Sequence, residues 1–191
     1  MRSVSTLLAA LACAVTFSSA ASAYEIDPLT RLPLMPAGVA VPQASAIPRE
    51  IVSFDGRYAP GTIVVSTPER RLYYVLGNGQ AVRYGVGVGR PGFTWAGTKT
   101  VTMKREWPSW TPPAEMRKRR PDLPAYMSGG VDNPLGARAM YLGSSLYRIH
   151  GSNEPDTIGQ AVSSGCIRMT NDDVVDLYSR VRVGTKVVVL D

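Results

Sequence analysis

Residues 147–169 read YRIHGSNEPDTIGQAVSSGCIRM and hold the residue types around which the rest of the chain is arranged. They contain His150, the one histidine of the chain, and Cys166, one of its two cysteines. Alternation over residues 146–150 predicts a strand that ends at His150. The Ser-Ser-Gly-Cys run at 163–166 is small and flexible, which favours an exposed turn. Functional sites usually lie at strand ends and in the loops after them.

One thiol and one imidazole so placed suggest covalent chemistry. A thiol attacks a carbonyl as the thiolate, and a nearby imidazole is the common means of forming it. Gly165 would let a substrate carbonyl approach the backbone closely. The N–H groups of Gly165 and Cys166 are predicted to stabilise the developing oxyanion. The alternatives are a buried apolar cysteine and a hydrogen-bonded structural histidine, which are common for these residue types.

The motif around this pair resembles the signature of the L,D-transpeptidase catalytic domain, the YkuD-like family. His150-Gly151-Ser152 is followed, after a spacer, by residues 163–168, Ser-Ser-Gly-Cys-Ile-Arg. The resemblance covers roughly residues 60–191. It implies a mainly β fold, an L,D-transpeptidase-like β-sandwich or mixed sheet, with one short helix after the Cys motif.

The resemblance also implies acyl transfer on peptidoglycan stem peptides. Cys166 would attack the carbonyl of the third residue, release D-Ala and form a thioester. His150 would be the base, held by the main-chain carbonyl of Gly151. The acyl acceptor would be an amine of another stem, an amine of an envelope protein, or water, which would make the chain an L,D-carboxypeptidase. A hydrolytic cysteine peptidase and a non-catalytic wall-binding domain remain as alternatives.

Three further residues match or depart from the motif. Arg168 would bind a substrate carboxylate, since a guanidinium pairs with one bidentately, or would form a structural salt bridge. Ser163 would hydrogen-bond within the loop or contact substrate. Ser164 stands where many family members have a second histidine, which puts any role for a second imidazole in substrate binding in doubt. We predict no metal site, since one His and one Cys do not complete a tetrahedral zinc shell, and the family implies no cofactor.

The N-terminal segment predicts export. Residues 1–23 have the positive start, short apolar run and Ala-Ser-Ala exit of a secretory signal peptide. Cleavage would remove Cys13 and leave no stable membrane anchor, and would place the protein in the periplasm or cell envelope. Residues 24–59 form a Pro-rich linker and lead-in to a catalytic domain at 60–191.

Strands are predicted in the later chain by β-branched runs and alternation, with turns between them in an all-β meander. They cover residues 61–66, 71–76, 80–88, 94–104, 137–142 and 185–190. A helix is predicted from a cap at Thr170 or Asn171 to about Arg182. Residues 106–130 form a long excursion with a basic run at 116–120, typical of a binding loop. The net charge of +6 suits an anionic wall polymer, and export argues against a nucleic-acid partner.

Overall fold

A computed structural model describes residues 47–55 and 57–191 of the chain. The predicted signal peptide and residues 24–46 of the predicted linker lie outside the described residues. The described strands are β1 (Glu50–Ser53), β2 (Ile63–Ser66), β3 (Arg71–Gly77), β4 (Gln80–Gly85), β5 (Val88–Gly89), β6 (Gly97–Glu106), β7 (Arg138–Leu142), β8 (Arg148–His150), β9 (Ala161–Ser163), β10 (Ile167–Arg168) and β11 (Lys186–Leu190). The helices are α1 (Ala114–Arg119) and α2 (Asn171–Arg180), with a 3-10 turn at Pro155–Thr157.

Nine of these strands form one mixed sheet in the order β1-β4-β3-β2-β11-β6-β7-β8-β10, and β5 and β9 form a small separate pair. Two antiparallel runs, β1-β4-β3-β2 and β6-β7-β8, lie on either side of β11. Strand β11 is parallel to β2 and antiparallel to β6. The predicted mainly β class with a mixed sheet is confirmed. The predicted all-β meander was too simple, because a meander has no place for the last strand in the middle of the sheet.

Helix α2 closes the core against one face of the sheet. It begins where predicted: Thr170 Oγ1 accepts a hydrogen bond from the backbone N–H of Asp173 at 3.2 Å, which satisfies one of the orphan donors of the first turn. Val174 and Leu177 are fully buried on the predicted apolar face. Burial of each such side chain contributes about 1.5 to 3 kcal/mol. The helix ends at Arg180, two residues before the predicted end.

The structure adds elements that the sequence pattern does not reveal. Strand β1 lies in the predicted lead-in and pairs antiparallel with β4, so this part of the lead-in belongs to the sheet. Helix α1 lies in the predicted excursion 106–130 and begins directly after Pro113, which acts as its N-cap residue. The one helix predicted after the Cys motif is α2, and α1 is a second helix that was not predicted. No helix in residues 47–55 and 57–191 has both the length and the apolar character needed to cross a bilayer.

Candidate active site

The pairing of β8 with β10 brings the predicted site residues together. The two strands are parallel, with Ile149 opposite Ile167 and His150 opposite Arg168. Ile149 and Ile167 are buried in the core, and side chains alternate between the faces of a sheet. The residues on either side of them therefore face the other way. Arg148 and His150 from β8, and Cys166 and Arg168 at β10, line one cleft.

This cleft has a volume of about 230 Å³. Its lining combines apolar and charged side chains, most of the charged ones basic, with the predicted nucleophile and base. The lining residues are Phe93, Trp110, Pro113, Glu115, Met116, Arg119, Pro134, Leu135, Leu146, Tyr147, Arg148, His150, Ser163, Ser164, Cys166 and Arg168. The predicted binding loop 106–130 supplies one wall, through α1 and the residues just before it.

His150 is held as a neutral imidazole. Its ring is 4% exposed, and Nδ1 lies 2.6 Å from the carbonyl oxygen of Gly151. Because a carbonyl oxygen only accepts, Nδ1 must carry the proton, and Nε2 is left with a free lone pair. Burial lowers the pKa of His150 to about 3; the bond to Gly151 opposes this shift, and the charges of Arg168 and Arg148 add to it. The imidazole is therefore unprotonated at neutral pH.

Cys166 is held as a neutral thiol. Its Sγ lies 3.7 Å from the carbonyl oxygen of Leu146, to which it donates. Burial raises the pKa of the thiol, while hydrogen bonds from the backbone and the side chain of Arg148 and the charges of Arg148 and Arg168 oppose the rise. Within the described part of the chain, no hydrogen bond joins this thiol to the imidazole of His150. The resting pair is thus thiol and imidazole, not thiolate and imidazolium.

Two aromatic side chains, Trp95 and Tyr147, contact the turn that carries Cys166 and stabilise it. Gly165 has a φ of +103°, and a Cβ added there would lie 2.5 Å from Cε1 of Tyr147, so glycine is required on both counts. Trp95 donates from Nε1 to the carbonyl oxygen of Gly165 at 2.8 Å and stacks on Tyr147 with ring centroids 4.7 Å apart. The aromatic pair therefore fixes the backbone next to the thiol.

Comparison with known proteins identifies the family of this chain. The family model for the L,D-transpeptidase catalytic domain matches residues 60–189. The chain belongs to the L,D-transpeptidase family. The matched segment contains β8, β10 and the whole cleft.

This chain is similar to two proteins at more than 40% sequence identity and to a more distant solved structure. The probable L,D-transpeptidase ErfK/SrfK of Escherichia coli (strain K12) is 43% identical over 138 residues, which are 68% of this chain and 44% of that protein. This chain thus spans less than half of that relative. A solved Brucella melitensis protein, described as a probable carnitine operon oxidoreductase, is 46% identical and covers 77% of this chain and 96% of its own, with a TM-score of 0.53. An L,D-transpeptidase from Mycobacterium smegmatis, 19% identical, has a TM-score of 0.55 over 68% of this chain and 58% of its own, a likeness of fold alone.

Ser163 and Gly165, two residues of the family motif, bond to each other inside the turn. Ser163 Oγ donates to the carbonyl oxygen of Cys166 at 2.6 Å and accepts from the N–H of Gly165 at 3.1 Å. Ser163 was predicted either to hydrogen-bond within the loop or to contact substrate, and the structure shows the hydrogen bonds within the loop. The oxyanion role of Gly165 and Cys166 stays a prediction, and in this structure the N–H of Gly165 donates to Ser163. The N–H of Cys166 has no hydrogen-bond partner among the described residues.

Ser164 and Arg168 also have partners in the protein. Ser164 stands at the position of the second histidine of many L,D-transpeptidases, and its Oγ accepts from Nη1 of Arg90 at 3.1 Å. Arg168 lies in the cleft with its Nη1 2.9 Å from a carboxylate oxygen of Glu154. Of the two roles predicted for Arg168, the structure shows the salt bridge.

Sequence reasoning missed Arg148 and Trp95. Arg148 precedes His150 by two positions, so the alternation already used for this strand was a sufficient signal that it faces the site. Trp95 reaches Gly165 from 70 positions away in the chain, and no local pattern predicts such a contact.

Proposed function

We propose that this chain is an exported, cysteine-dependent L,D-transpeptidase that transfers an acyl group from the tetrapeptide stem of peptidoglycan. The observation that carries the proposal is the register of β8 and β10. It sets Cys166 and His150 on one face of two adjacent strands, in one cleft, with Nε2 of the imidazole as the free basic nitrogen. A nucleophile on a sheet edge with its base on the next strand is a rigid arrangement.

The first half-reaction forms a thioester. Nε2 of His150 takes the thiol proton as Sγ of Cys166 attacks the carbonyl carbon of the third stem residue. The N–H of Cys166 donates to the oxyanion of the tetrahedral intermediate. The carbon–nitrogen bond to the terminal D-Ala then breaks, and the imidazolium gives its proton to the leaving amine. Because both groups are neutral at rest, proton transfer accompanies attack instead of preceding it.

The second half-reaction restores the thiol. An acceptor amine attacks the thioester carbonyl, and His150 takes a proton from it. The carbon–sulfur bond breaks, the new amide is released, and Sγ of Cys166 regains its proton from the imidazolium. The acceptor is the side-chain amine of a second stem, which gives a cross-link between two third residues, or an amine of an envelope protein.

The site of action follows from the N-terminal sequence. Residues 1–23 act as a signal peptide, and residues 60–191 form the catalytic domain. Residues 24–59 connect the two and also supply β1 of the sheet. This arrangement delivers the cleft to the periplasm or cell envelope, where its substrate lies. A modestly basic chain, with a net charge of +6, is compatible with an anionic wall polymer.

Incubation of the purified protein with disaccharide-tetrapeptide, followed by mass spectrometry, tests the proposal. Stem dimers that lack one D-Ala, absent with Cys166→Ala, are expected. Tripeptide alone would show that water or an absent protein amine is the acceptor. If no product depends on Cys166, while circular dichroism shows the same folded spectrum for both proteins, the transpeptidase assignment is wrong and a binding role replaces it.

A further inference from the structure

The guanidinium groups in and near the cleft differ in their partners. Arg168 forms an ion pair with Glu154. Arg90, next to the cleft, donates to the hydroxyl of Ser164, and Arg119, exposed on α1, lies 5.9 Å from the ring centroid of Phe93. Arg148 has no ion pair with any carboxylate among the described residues, and its Nε is buried without a hydrogen-bond partner there. Buried polar groups in folded proteins nearly always have a partner. Arg148 is half-buried, and its side chain also hydrogen-bonds the thiol of Cys166. A cation in a substrate cleft that has no carboxylate partner and keeps an unpartnered buried Nε is a site suited to an anion.

The position of Arg148 says which anion can reach it. In the parallel register His150 faces Arg168, so Arg148 lies across from Cys166, one strand spacing away, about 4.8 Å. Its guanidinium lies 5.1 Å over the ring of Tyr141, which limits where it can point. Its charge lies close enough to the thiol to act on its pKa. A group bound by Arg148 must therefore sit within about one residue of the carbonyl that Cys166 attacks.

We propose that Arg148 binds the free C-terminal carboxylate of the donor peptide, that of the residue released in the first half-reaction. This inference rests on the proposed function and deepens it. The terminal carboxylate is one residue, about 3.8 Å between Cα atoms, from the attacked residue. A planar guanidinium matches a carboxylate bidentately. The same contact requires an unblocked donor C-terminus. It also moves the predicted carboxylate partner from Arg168, which Glu154 neutralises, to Arg148.

The test compares two donors, the disaccharide-tetrapeptide and the same compound with its terminal carboxylate converted to a carboxamide. Cys166-dependent donor consumption is followed by mass spectrometry, so that every acceptor is counted. The readout is the ratio of kcat/KM for the acid to that for the amide, which does not depend on how much of a variant is folded. Loss of a hydrogen-bonded charge pair predicts a wild-type ratio of about 10 to 100.

The variants are Arg148→Gln, Arg148→Lys and Arg168→Gln, with Arg117→Gln as the matched control. Arg117 is exposed on α1 and is not among the residues that line the cleft. Arg148→Gln should bring the ratio close to one, chiefly through the KM of the acid. Arg148→Lys should retain part of the preference for the acid donor, since lysine keeps the positive charge but lacks the planar guanidinium that binds a carboxylate bidentately. Arg117→Gln should keep the wild-type ratio.

Three outcomes would overturn the inference while leaving the proposed function in place. The first is a wild-type ratio near one. The second is an Arg148→Gln enzyme that loses activity equally on both donors, which would place Arg148 on the thiol or the oxyanion. The third is loss of the preference in Arg168→Gln alone. If the wild-type enzyme consumes neither donor, the proposed function is wrong, and the inference about Arg148, which rests on it, is wrong as well.

Discussion

His150 Nδ1 and the carbonyl oxygen of Gly151, the next residue in the chain, are 2.6 Å apart. The orienting partner of the proposed base is thus a neutral main-chain group in place of the carboxylate that serves many catalytic histidines. A carbonyl fixes the tautomer as a carboxylate would, but it stabilises the imidazolium less. The low pKa of His150, caused first by its burial, is consistent with such a partner.

The first prediction concerns the pH dependence of thiol reactivity. Burial raises the pKa of Cys166 and lowers that of His150, so the pair is neutral at rest. Alkylation by iodoacetamide should rise with pH as one ionisation, with no reactive plateau between about pH 5 and pH 8. The rate is measured by intact mass, with Cys166→Ala as the unlabelled control. A plateau in mild acid that disappears in His150→Ala would instead show a preformed thiolate–imidazolium pair.

The second prediction concerns stability in acid. The pKa of His150 falls from 6.5 to about 3 on folding, so between these values the unfolded chain binds a proton that the folded one excludes. The free energy of unfolding therefore rises with pH in this range. The contribution of His150 is complete above pH 6.5 and is lost as the pH falls towards 3, with a limiting slope of about 1.4 kcal/mol per pH unit.

Urea unfolding at a series of pH values measures this slope in the wild type and in His150→Gln. The difference between the two curves isolates the histidine from the carboxylates, which both proteins share. The variant should have the shallower dependence between about pH 4 and pH 6. Parallel curves would mean that the ring is accessible to protons in the folded state.

The third prediction concerns the turn at Gly165. Alanine there would combine a φ of +103° with a Cβ 2.5 Å from Tyr147. Backbone strain alone costs about 1 to 3 kcal/mol, and the overlap adds to it. Gly92→Ala is the matched control, since Gly92 has a φ of +82° but nothing within 4 Å of the added carbon. Thermal unfolding should show a larger loss for Gly165→Ala, and donor consumption should fall in that variant only. Equal losses of stability would exclude the clash with Tyr147.

The fourth prediction concerns Trp95. Trp95→Phe keeps an aromatic ring against Tyr147 but removes the donor to the carbonyl oxygen of Gly165. Tyr74→Phe is the control, since it removes a side-chain donor to the main-chain carbonyl of Arg180, distant in sequence from the site. Each change should lower the free energy of unfolding by about 1 kcal/mol. Only Trp95→Phe should lower kcat for donor consumption, and an unchanged kcat would show that the turn keeps its shape without the indole.

Much of the fold was predictable because its longer elements have a characteristic composition or periodicity. Strand β3 is a run of aromatic and aliphatic residues, α2 carries an apolar face, and Thr170 provides the cap. The short strands were not predictable. Strands β9 and β10 have three and two residues, too few for any alternation, and they exist because β5 and β8 offer them partners from far along the chain.

The candidate site was predictable in part for a similar reason. His150 and Cys166 stand in one motif, and the structure brings both to one cleft. The hydrogen bonds of the motif were harder to predict, because they depend on where the turn points. Ser163 accepts a hydrogen bond from the N–H of Gly165. Glu154, four residues after His150, forms a salt bridge with Arg168. Neither choice of partner leaves a pattern in the sequence.

Strand β11 has a consequence for how the protein is made. It joins the two halves of the large sheet, parallel to β2 and antiparallel to β6, and of the described strands it is the last to be synthesised. Until Lys186–Leu190 emerge, β2 and β6 have open edges and the two antiparallel runs share no backbone bonds through this strand. The large sheet is therefore completed only once β11 is made. On the proposal that the protein is exported, the chain would enter the secretion channel before this sheet is complete.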